Sequence, residues 1–418
     1  MQPFSSFGRG IRRWRWVLVG AYVAVWIAGS IAGGRGAAPS APPGTTVIAL
    51  AAGGFVCSSI RATLSRRRRR LLLSSWRRLT RWEYWPLWAV YPPVVIWIAW
   101  LGVRYRSLTL FTAANPAIPA SGVVGESKFA ILRGLGQPAA WIARSGFIPR
   151  TLPPPARIAT ADAFMAVHAL SLPIVLKPDQ GQRGAGVVVA RGRRELETYL
   201  EEAAGDTVIQ EYVSGVEFGV FYVRRPSDTR GRILSITEKH LPSVVGDGRR
   251  TLESLILDHP RTVCMARFHL ARQHDRLRSV PAAGATVPLG DCGSHCRGAQ
   301  FLDGRRFRTP ALEGAIDIVA RRFEGFHFGR FDVRSPSPEA FARGEFTIIE
   351  LNGVTSEVTH IYDPRISLLD AYRALLGQWS IAFEIGGENA RAGAPVTPAW
   401  VLAQTTATAL LRAPRTIT

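Results

Sequence analysis

What most constrains this chain is the contrast between its first quarter and everything after it. Residues 1–106 hold 16 arginines and a single acid, Glu83, interleaved with three long apolar runs, and they carry +15 of the formal net charge of +21. A segment of this kind cannot bury so many arginines in a core, nor leave such runs in water. A lipid surface accepts both, because apolar side chains enter the hydrocarbon while arginines meet anionic headgroups. Nucleic acid ranks last as a partner, since the basic cluster lies between apolar runs and no stacking motif accompanies it.

The first run, 16–34, is uncharged for 19 residues and is long enough to span a bilayer; the second, 47–60, is shorter, glycine-rich and marginal. The third, 84–103, is uncharged for 20 residues and has aromatics at both ends, as suits side chains at headgroup depth. Four arginines precede the first run, Arg35 follows it, and nine lie between Ile60 and Glu83. That asymmetry predicts a hairpin of the first two runs with both ends inside. Arg104 and Arg106 on the far flank of the third run argue against another full crossing, and the adjacent Pro92 and Pro93 break a straight helix near its middle. A re-entrant or interfacial third segment follows, after helical membrane segments in the first two runs. A cleaved signal peptide is the alternative for the first run, with Arg12 and Arg13 before it and small residues Ala37 to Ala41 after it. It leaves the later runs unexplained. Four cysteines in 418 residues read as reduced thiols, which fits a cytosolic working face on the inner membrane.

From about Leu108 the pattern becomes that of an α/β protein, with short apolar strands, amphipathic helices and glycine or proline turns. LPIVLK (172–177) reads as a buried strand, followed by the loop DQGQRGAG (179–186), a second strand 187–190 and a helix 193–204 with Leu196, Tyr199 and Leu200 on one side. Further strands are expected at 207–213 and 217–224, helices at 251–258 and 310–323, and a hairpin pairing 328–334 with 346–352. The expected divisions are 1–106 (membrane-associated), 107–212 (with the glycine loop), 213–385 (with the acidic hairpin) and a tail 386–418, which receives no function.

Lysine usage singles out positions. Of 52 basic residues only Lys128, Lys177 and Lys239 are lysine. A chain that uses arginine for nearly every surface charge has kept a compact ammonium where a planar fork fits poorly, as among crowded phosphate oxygens. Lys177 ends an apolar strand directly before a loop in which Gly181, Gly184 and Gly186 can bring backbone N–H groups close to phosphate. The loop is neither a Walker pattern nor a dinucleotide fingerprint. In the hairpin, Asp332 and Glu350 fall opposite each other about a centre near Phe341, and Asn352 shares the face of Glu350. Three oxygen-bearing groups on one face of an apolar hairpin suit magnesium, with Arg330 beside them.

In their order along the chain these residues resemble the ATP-grasp superfamily, most closely the D-alanine-D-alanine ligase-like and cyanophycin-synthetase-like carboxylate-amine ligases. The resemblance runs from Lys128 in GESK through Lys177 in VLKP, the glycine loop, QEYVSGVEF (210–218), Glu238 and Lys239, RFD (330–332) and ELN (350–352), with VVGDGRRTLESLI (244–256) similar to the cyanophycin-synthetase type. It implies an ATP-grasp fold whose two subdomains clamp ATP. It implies that Lys128 and Lys177 contact phosphates from the two sides of the cleft, that Glu211, Tyr212 and Val213 hold adenine, and that Glu217 binds ribose. Lys239 would be a further phosphate-side lysine, Asp332, Glu350 and Asn352 the ligands of two magnesium ions, and Arg330 the oxyanion-stabilising arginine. The implied reaction joins a small-molecule or lipid-linked carboxylate to an amine through an acyl phosphate, releasing ADP and phosphate. A catalytic part that consumes ATP belongs on the cytosolic side. A phosphotransferase and a membrane-anchored ATP-binding protein are the alternatives. The acceptor domain that usually precedes the nucleotide domain is replaced here by the apolar segments.

Candidate substrate groups are His295 and Arg297 in DCGSHCRGAQ (291–300), and Glu357 with His360 after the acidic hairpin. Arg297 suits a carboxylate and Glu357 an ammonium. Cys292, His295 and Cys296 make a poor zinc site without a second ligand pair, so a loop over the active site is expected instead. His240 reads as a polar strand-end residue.

Overall fold

The computed structural model describes residues 65–136, 141–181, 184–290, 293, 295 and 298–412. The runs 16–34 and 47–60, with the hairpin expected of them, lie outside the described residues, as do Cys292, Cys296 and Arg297. The chain divides into a unit of residues 1–69 and a unit of residues 70–418; the second holds everything that follows except the start of one helix.

The described strands, in chain order, are β1 (Ser145–Ile148), β2 (Ile174–Pro178), β3 (Val188–Ala190), β4 (Thr207–Glu211), β5 (Val216–Val223), β6 (Arg232–His240), β7 (Ser243–Val245), β8 (Thr286–Pro288), β9 (Gln300–Asp303), β10 (Phe328–Ser335) and β11 (Thr347–Asn352). They form a four-stranded sheet in the order β1-β4-β2-β3, a five-stranded sheet β11-β10-β5-β6-β9 and the pair β7-β8, with every ladder antiparallel. The molecule is thus mixed α/β with antiparallel sheets.

The four-stranded sheet buries Ile148, Ile174, Leu176 and Ile209 against helices Pro154–Val167 and Arg193–Glu202, whose Ala161, Leu196 and Leu200 face it. The second helix begins as its sequence dictates, with Glu195 Oε2 accepting the backbone N–H groups of Arg191 and Gly192.

Alternation along the five-stranded sheet decides what each of its faces does. Phe218, Val220 and Tyr222 of β5, with Phe331 and Val333 of β10, pack against Leu312, Ile316, Val319 and Ala320 of helix Pro310–Arg322. The opposite face is divided lengthwise. Phe221, Val223 and Phe328 occupy one half and are covered by helices Leu368–Arg391 and Pro92–Arg104 through Leu375, Phe383, Val94 and Leu101. The other half carries charge.

This arrangement corrects one part of the reading of the third apolar run, the helix break expected at Pro92 and Pro93. Trp82–Tyr84 forms a short 3-10 turn, Leu87–Val90 a single helical turn and Pro92–Arg104 a 13-residue helix. At 1.5 Å per residue that helix is about 20 Å long, against about 30 Å of hydrocarbon. No helix among the described residues is long and apolar enough to cross a membrane. Pro92 and Pro93 do not break a helix; they start one at its first two positions, where the missing N–H has no intrahelical partner to lose. Helix Leu368–Arg391 runs through Gly386 because a Cβ there would meet Leu110 O at 2.3 Å, so the residue permits a close crossing.

The segment 243–290 forms its own small core of Val244, Leu252, Leu255, Ile256, Leu270, Val287 and Leu289. Helix Arg66–Thr80 leans on it through Leu71, an Arg70–Asp258 ion pair (2.9 Å) and Arg77 Nη1 donating to Pro260 O (3.1 Å).

Candidate active site

The hairpin expectation holds at the residues that matter. Asp332 pairs with Glu350, and Arg330 with Asn352, across β10 and β11. On the other side of β10, Arg330, Asp332 and Arg334 stand opposite Phe221, Gly219 and Glu217 of β5, and Glu217 stands opposite Lys239 of β6. Period-two alternation therefore gathers Glu217, Lys239, Arg330, Asp332, Arg334, Glu350 and Asn352 on the charged half of one face.

These side chains form a buried lattice. Lys239 Nζ lies 3.0 Å from both Glu217 Oε1 and Asp332 Oδ1. Arg330 Nε donates to Asp332 Oδ1 (2.9 Å) and Arg334 Nη2 to Glu217 Oε2 (3.2 Å). Burial alone would push the Asp332 carboxyl up, but Arg330 and Lys239 overcome that and hold it below the ordinary carboxylate range. Burial likewise works against the Lys239 ammonium, and Asp332 and Glu217 more than offset it, so the lysine stays charged. Gly219 sits beneath the lattice. A Cβ there would crowd Arg330 Cδ at 3.3 Å and both Asp332 Oδ1 and Lys239 Cε at 3.4 Å.

Whether a metal fits depends on the donors. Among the described residues no three His, Cys, Asp or Glu side chains cluster closely enough to hold one. The third donor beside Asp332 and Glu350 is an amide, and Asn352 Nδ2 is buried without a partner. An amide turned the other way presents its oxygen at that spot. Two carboxylates and an amide oxygen on one face suit a hard cation such as magnesium.

The four-stranded sheet brings the other lysines. Lys177, at the end of β2, donates to Gln210 Oε1 (2.9 Å) on β4 and to Ile349 O (3.1 Å) on β11, next to Glu350. Ile349 is the extra residue of a β-bulge, because the register passes from Asp332–Glu350 directly to Val333–Ile348. The bulge frees its carbonyl for Lys177 and for Gln210 Nε2 (3.2 Å). Lys128 lies on the glycine loop, where its Nζ donates to Gly181 O and Asp179 O. Asp179 organises this corner by accepting from Ser127 Oγ (2.9 Å) and Phe129 N (3.0 Å). Gly184 and Gly186 both hold φ of +72°, which a side chain would strain.

At the segment that joins the two sheets, Glu211 is bound bidentately by Arg144 (2.7 and 3.1 Å), and that hydrogen bonding holds its carboxyl below the ordinary range. The Glu211 backbone N–H also donates to Arg144 O (2.9 Å). Val213 O accepts from Arg334 Nη1 (2.8 Å), and the Arg334 guanidinium lies 5.4 Å from the Tyr212 ring centroid. Both Glu217 oxygens serve Lys239 and Arg334. A Cβ on Gly293 would fall 2.4 Å from Glu217 Oε1, so the loop carrying His295 crosses directly over that acid.

The far wall is aromatic. His295 stacks on Tyr362 (4.6 Å), with Phe301 and Tyr84 flanking it at 5.6 and 5.8 Å. Burial and nearby Arg261 push its imidazole down to about 3, so it is neutral at ordinary pH. Glu357 is partly open at its rim but walled by protein, which pushes its carboxyl up to about 7 despite the Tyr362 hydroxyl donating to Oε2 at 3.0 Å. Its backbone carbonyl accepts from Arg330 Nη1 (3.3 Å), which ties this wall to the lattice. His240 lies on the exposed end of β6, paired with Glu238 at 3.1 Å.

Sequence reasoning missed Arg334, Gln210, Arg144 and Tyr362. The signal for Arg334 was present, two residues beyond Asp332 and four beyond Arg330 on the same strand face. The others had none, since each acts across sheets or from a loop.

No family model matches the chain, and no curated protein matches it by sequence. Among solved structures it is similar to a bifunctional glutathione synthetase from Pasteurella multocida (17% identity, TM-score 0.32, 60% of this chain and 36% of that one). It is also similar to a D-Ala:D-Ser ligase from Enterococcus faecalis (13%, 0.34, 60% and 61%) and to a D-alanine–D-alanine ligase from Bacillus anthracis (14%, 0.35, 62% and 66%). The chain thus spans between about a third and two thirds of each, and likeness at these scores carries no functional argument.

Proposed function

We propose that this chain is an ATP-grasp carboxylate-amine ligase, held at the cytosolic face of the inner membrane by its first quarter. The observation that carries the reading is the lattice of Lys239, Glu217, Asp332 and Arg330, set beside Glu350 and Asn352 and approached by Lys177. Buried charge of this density costs desolvation that a hydrophobic core avoids, so a polyanionic ligand is the economical explanation.

In this reading Lys177, Lys128 and the N–H groups around Gly181, Gly184 and Gly186 bind phosphate oxygens. The backbone of Glu211, Tyr212 and Val213 receives adenine, and Glu217, once released from its cations, the ribose. Asp332, Glu350 and Asn352 hold magnesium, which neutralises charge on the transferring phosphoryl group. The substrate carboxylate oxygen bonds to the γ-phosphorus as the bond to ADP breaks. The amine then bonds to the acyl carbon, phosphate leaves with the electron pair, and the amine proton passes to solvent or phosphate. Arg330 faces the acyl oxygen and stabilises its negative charge. Glu357 and Tyr362 form the wall that receives the amine, and His295, as a neutral ring, shields it from water; Arg297 is the proposed partner of the carboxylate.

The test is nucleotide turnover by the full-length protein with magnesium, a pool of carboxylates that includes lipid-linked ones, and hydroxylamine as the amine. Hydroxamate formed together with ADP and phosphate, and abolished in Asp332→Ala, supports the ligase. ADP without phosphate release makes the chain a phosphotransferase. ATP binding with turnover no higher than that of Asp332→Ala makes it a binding protein.

A further inference from the structure

Helix Arg66–Thr80 turns Leu71 and Ser74 inward and leaves Leu72, Trp76 and Leu79 at 57, 65 and 68% exposure. These three follow the spacing i, i+4, i+7 and form one stripe. Helix Pro92–Arg104 repeats the device. Val94 and Leu101 are buried, while Ile96, Trp100 and Val103 are exposed at 70, 44 and 73% on the same spacing, with the Arg104 guanidinium 5.4 Å from the Trp100 ring centroid. Trp88, between the helices, is 78% exposed. Two helices that each bury one side and show a tryptophan-centred apolar stripe on the other are not explained by core packing.

We infer that these stripes form an in-plane docking surface for an anionic phospholipid bilayer. Charge selects the occupant. From Ser65 to Arg106 the one acid is Glu83, which is buried beside Arg261 and Arg81, whereas Arg68 and Arg69 precede Leu72 by one turn on its face of the helix. A second copy of the chain would set arginine against arginine across a two-fold interface. Residues 1–64 hold six arginines and no acid, so they offer no counter-charge either, and they enter the described structure immediately before this helix. Anionic headgroups supply what both lack, and tryptophan with flanking aliphatics is the composition of a helix lying at the acyl boundary. The inference rests on the membrane-attached part of the proposed function and not on its ligase chemistry.

The experiment uses the full chain with Cys57, Cys292 and Cys296 replaced by serine, leaving buried Cys264 in place. An environment-sensitive fluorophore is attached at Leu79→Cys, at Val103→Cys, or at Val167→Cys, a control position 79% exposed on helix Pro154–Val167. Vesicles of phosphatidylglycerol and phosphatidylcholine with brominated acyl chains are added, and flotation is scored beside quenching. The expected result is quenching at 79 and 103 but not at 167, weakened by salt and lost from position 79 when Leu72→Glu and Trp76→Glu are added. Flotation with positions 79 and 103 unquenched overturns the docking surface while leaving the anchor standing. No flotation with any vesicle overturns both. A dimer in which positions 79 and 103 are already shielded without lipid assigns the stripes to a second copy and also overturns it.

Discussion

The two halves of one sheet face make an internal control. The Phe221, Val223 and Phe328 half and the Glu217, Asp332 and Lys239 half share strands, pairing and alternation. They differ in their cover. Two helices seal the first, whereas loops carrying Gly293, His295 and Glu357 overhang the second. The strands supply register, and the cover decides whether a register position becomes core or chemistry.

The sharpest way to break it is Asp332→Ala against Phe383→Leu. If function belongs to the charged half, the first lowers turnover by about 10²-fold or more. The second, a near-conservative change under the apolar half, leaves turnover within about twofold and shows only a modest shift in the denaturation midpoint. Equal losses in steady-state assays would mean that the halves are not separable.

In stability the two halves should weigh about equally, by different mechanisms. Phe221→Ala should cost about 3–5 kcal/mol by opening a cavity. Lys239→Met should cost about 3–5 kcal/mol by leaving Glu217 and Asp332 buried without their ammonium. Urea titrations at several pH values tell them apart. The Phe221 loss should be flat with pH, whereas the Lys239 loss should shrink in acid as the stranded carboxylates take up protons.

Glu357 gives a smaller effect with a definite sign. Its folded carboxyl lies near 7, above the ordinary glutamate value of 4.5, so the folded state binds the extra proton between those values. Stability from this group is full below about 4.5 and falls as pH rises through about 7. Glu357→Gln should remove that slope, so that the substituted protein gains on the parent in thermal melts at pH 8 relative to pH 5. The same slope in both proteins would mean that Glu357 is not desolvated. Smallest of all, Arg144→Ala should change stability by about 1 kcal/mol or less, because its pair with Glu211 is a partly exposed one.

What was legible in the sequence follows from these physical distinctions. Asp332, Glu350 and Asn352 could be aligned because strand pairing is symmetric about a turn and alternation fixes faces. The symmetry fails one residue later, at Ile349, since a bulge leaves no trace in residue type. Lys177 and Lys239 stood out against an arginine background, yet their partners Gln210 and Glu217 emerge only when strands distant in sequence are laid side by side. The third apolar run misled only at its prolines, because composition records the demand for burial and not the point at which a helix begins. Val94 and Leu101 meet that demand against helix Leu368–Arg391, and Pro92 and Pro93 mark a start that reads identically to a break.

The bulge at Ile349 carries one more consequence. Its carbonyl is held by two donors of different kind, the charged ammonium of Lys177 and the neutral amide of Gln210. Any anion that draws Lys177 away strips one donor from that peptide while the other keeps the strand in place. The C=O stretch of Ile349 alone, isolated by carbon-13 labelling, would then move to higher frequency as the site fills, and a single peptide bond would serve as the molecule's own occupancy gauge.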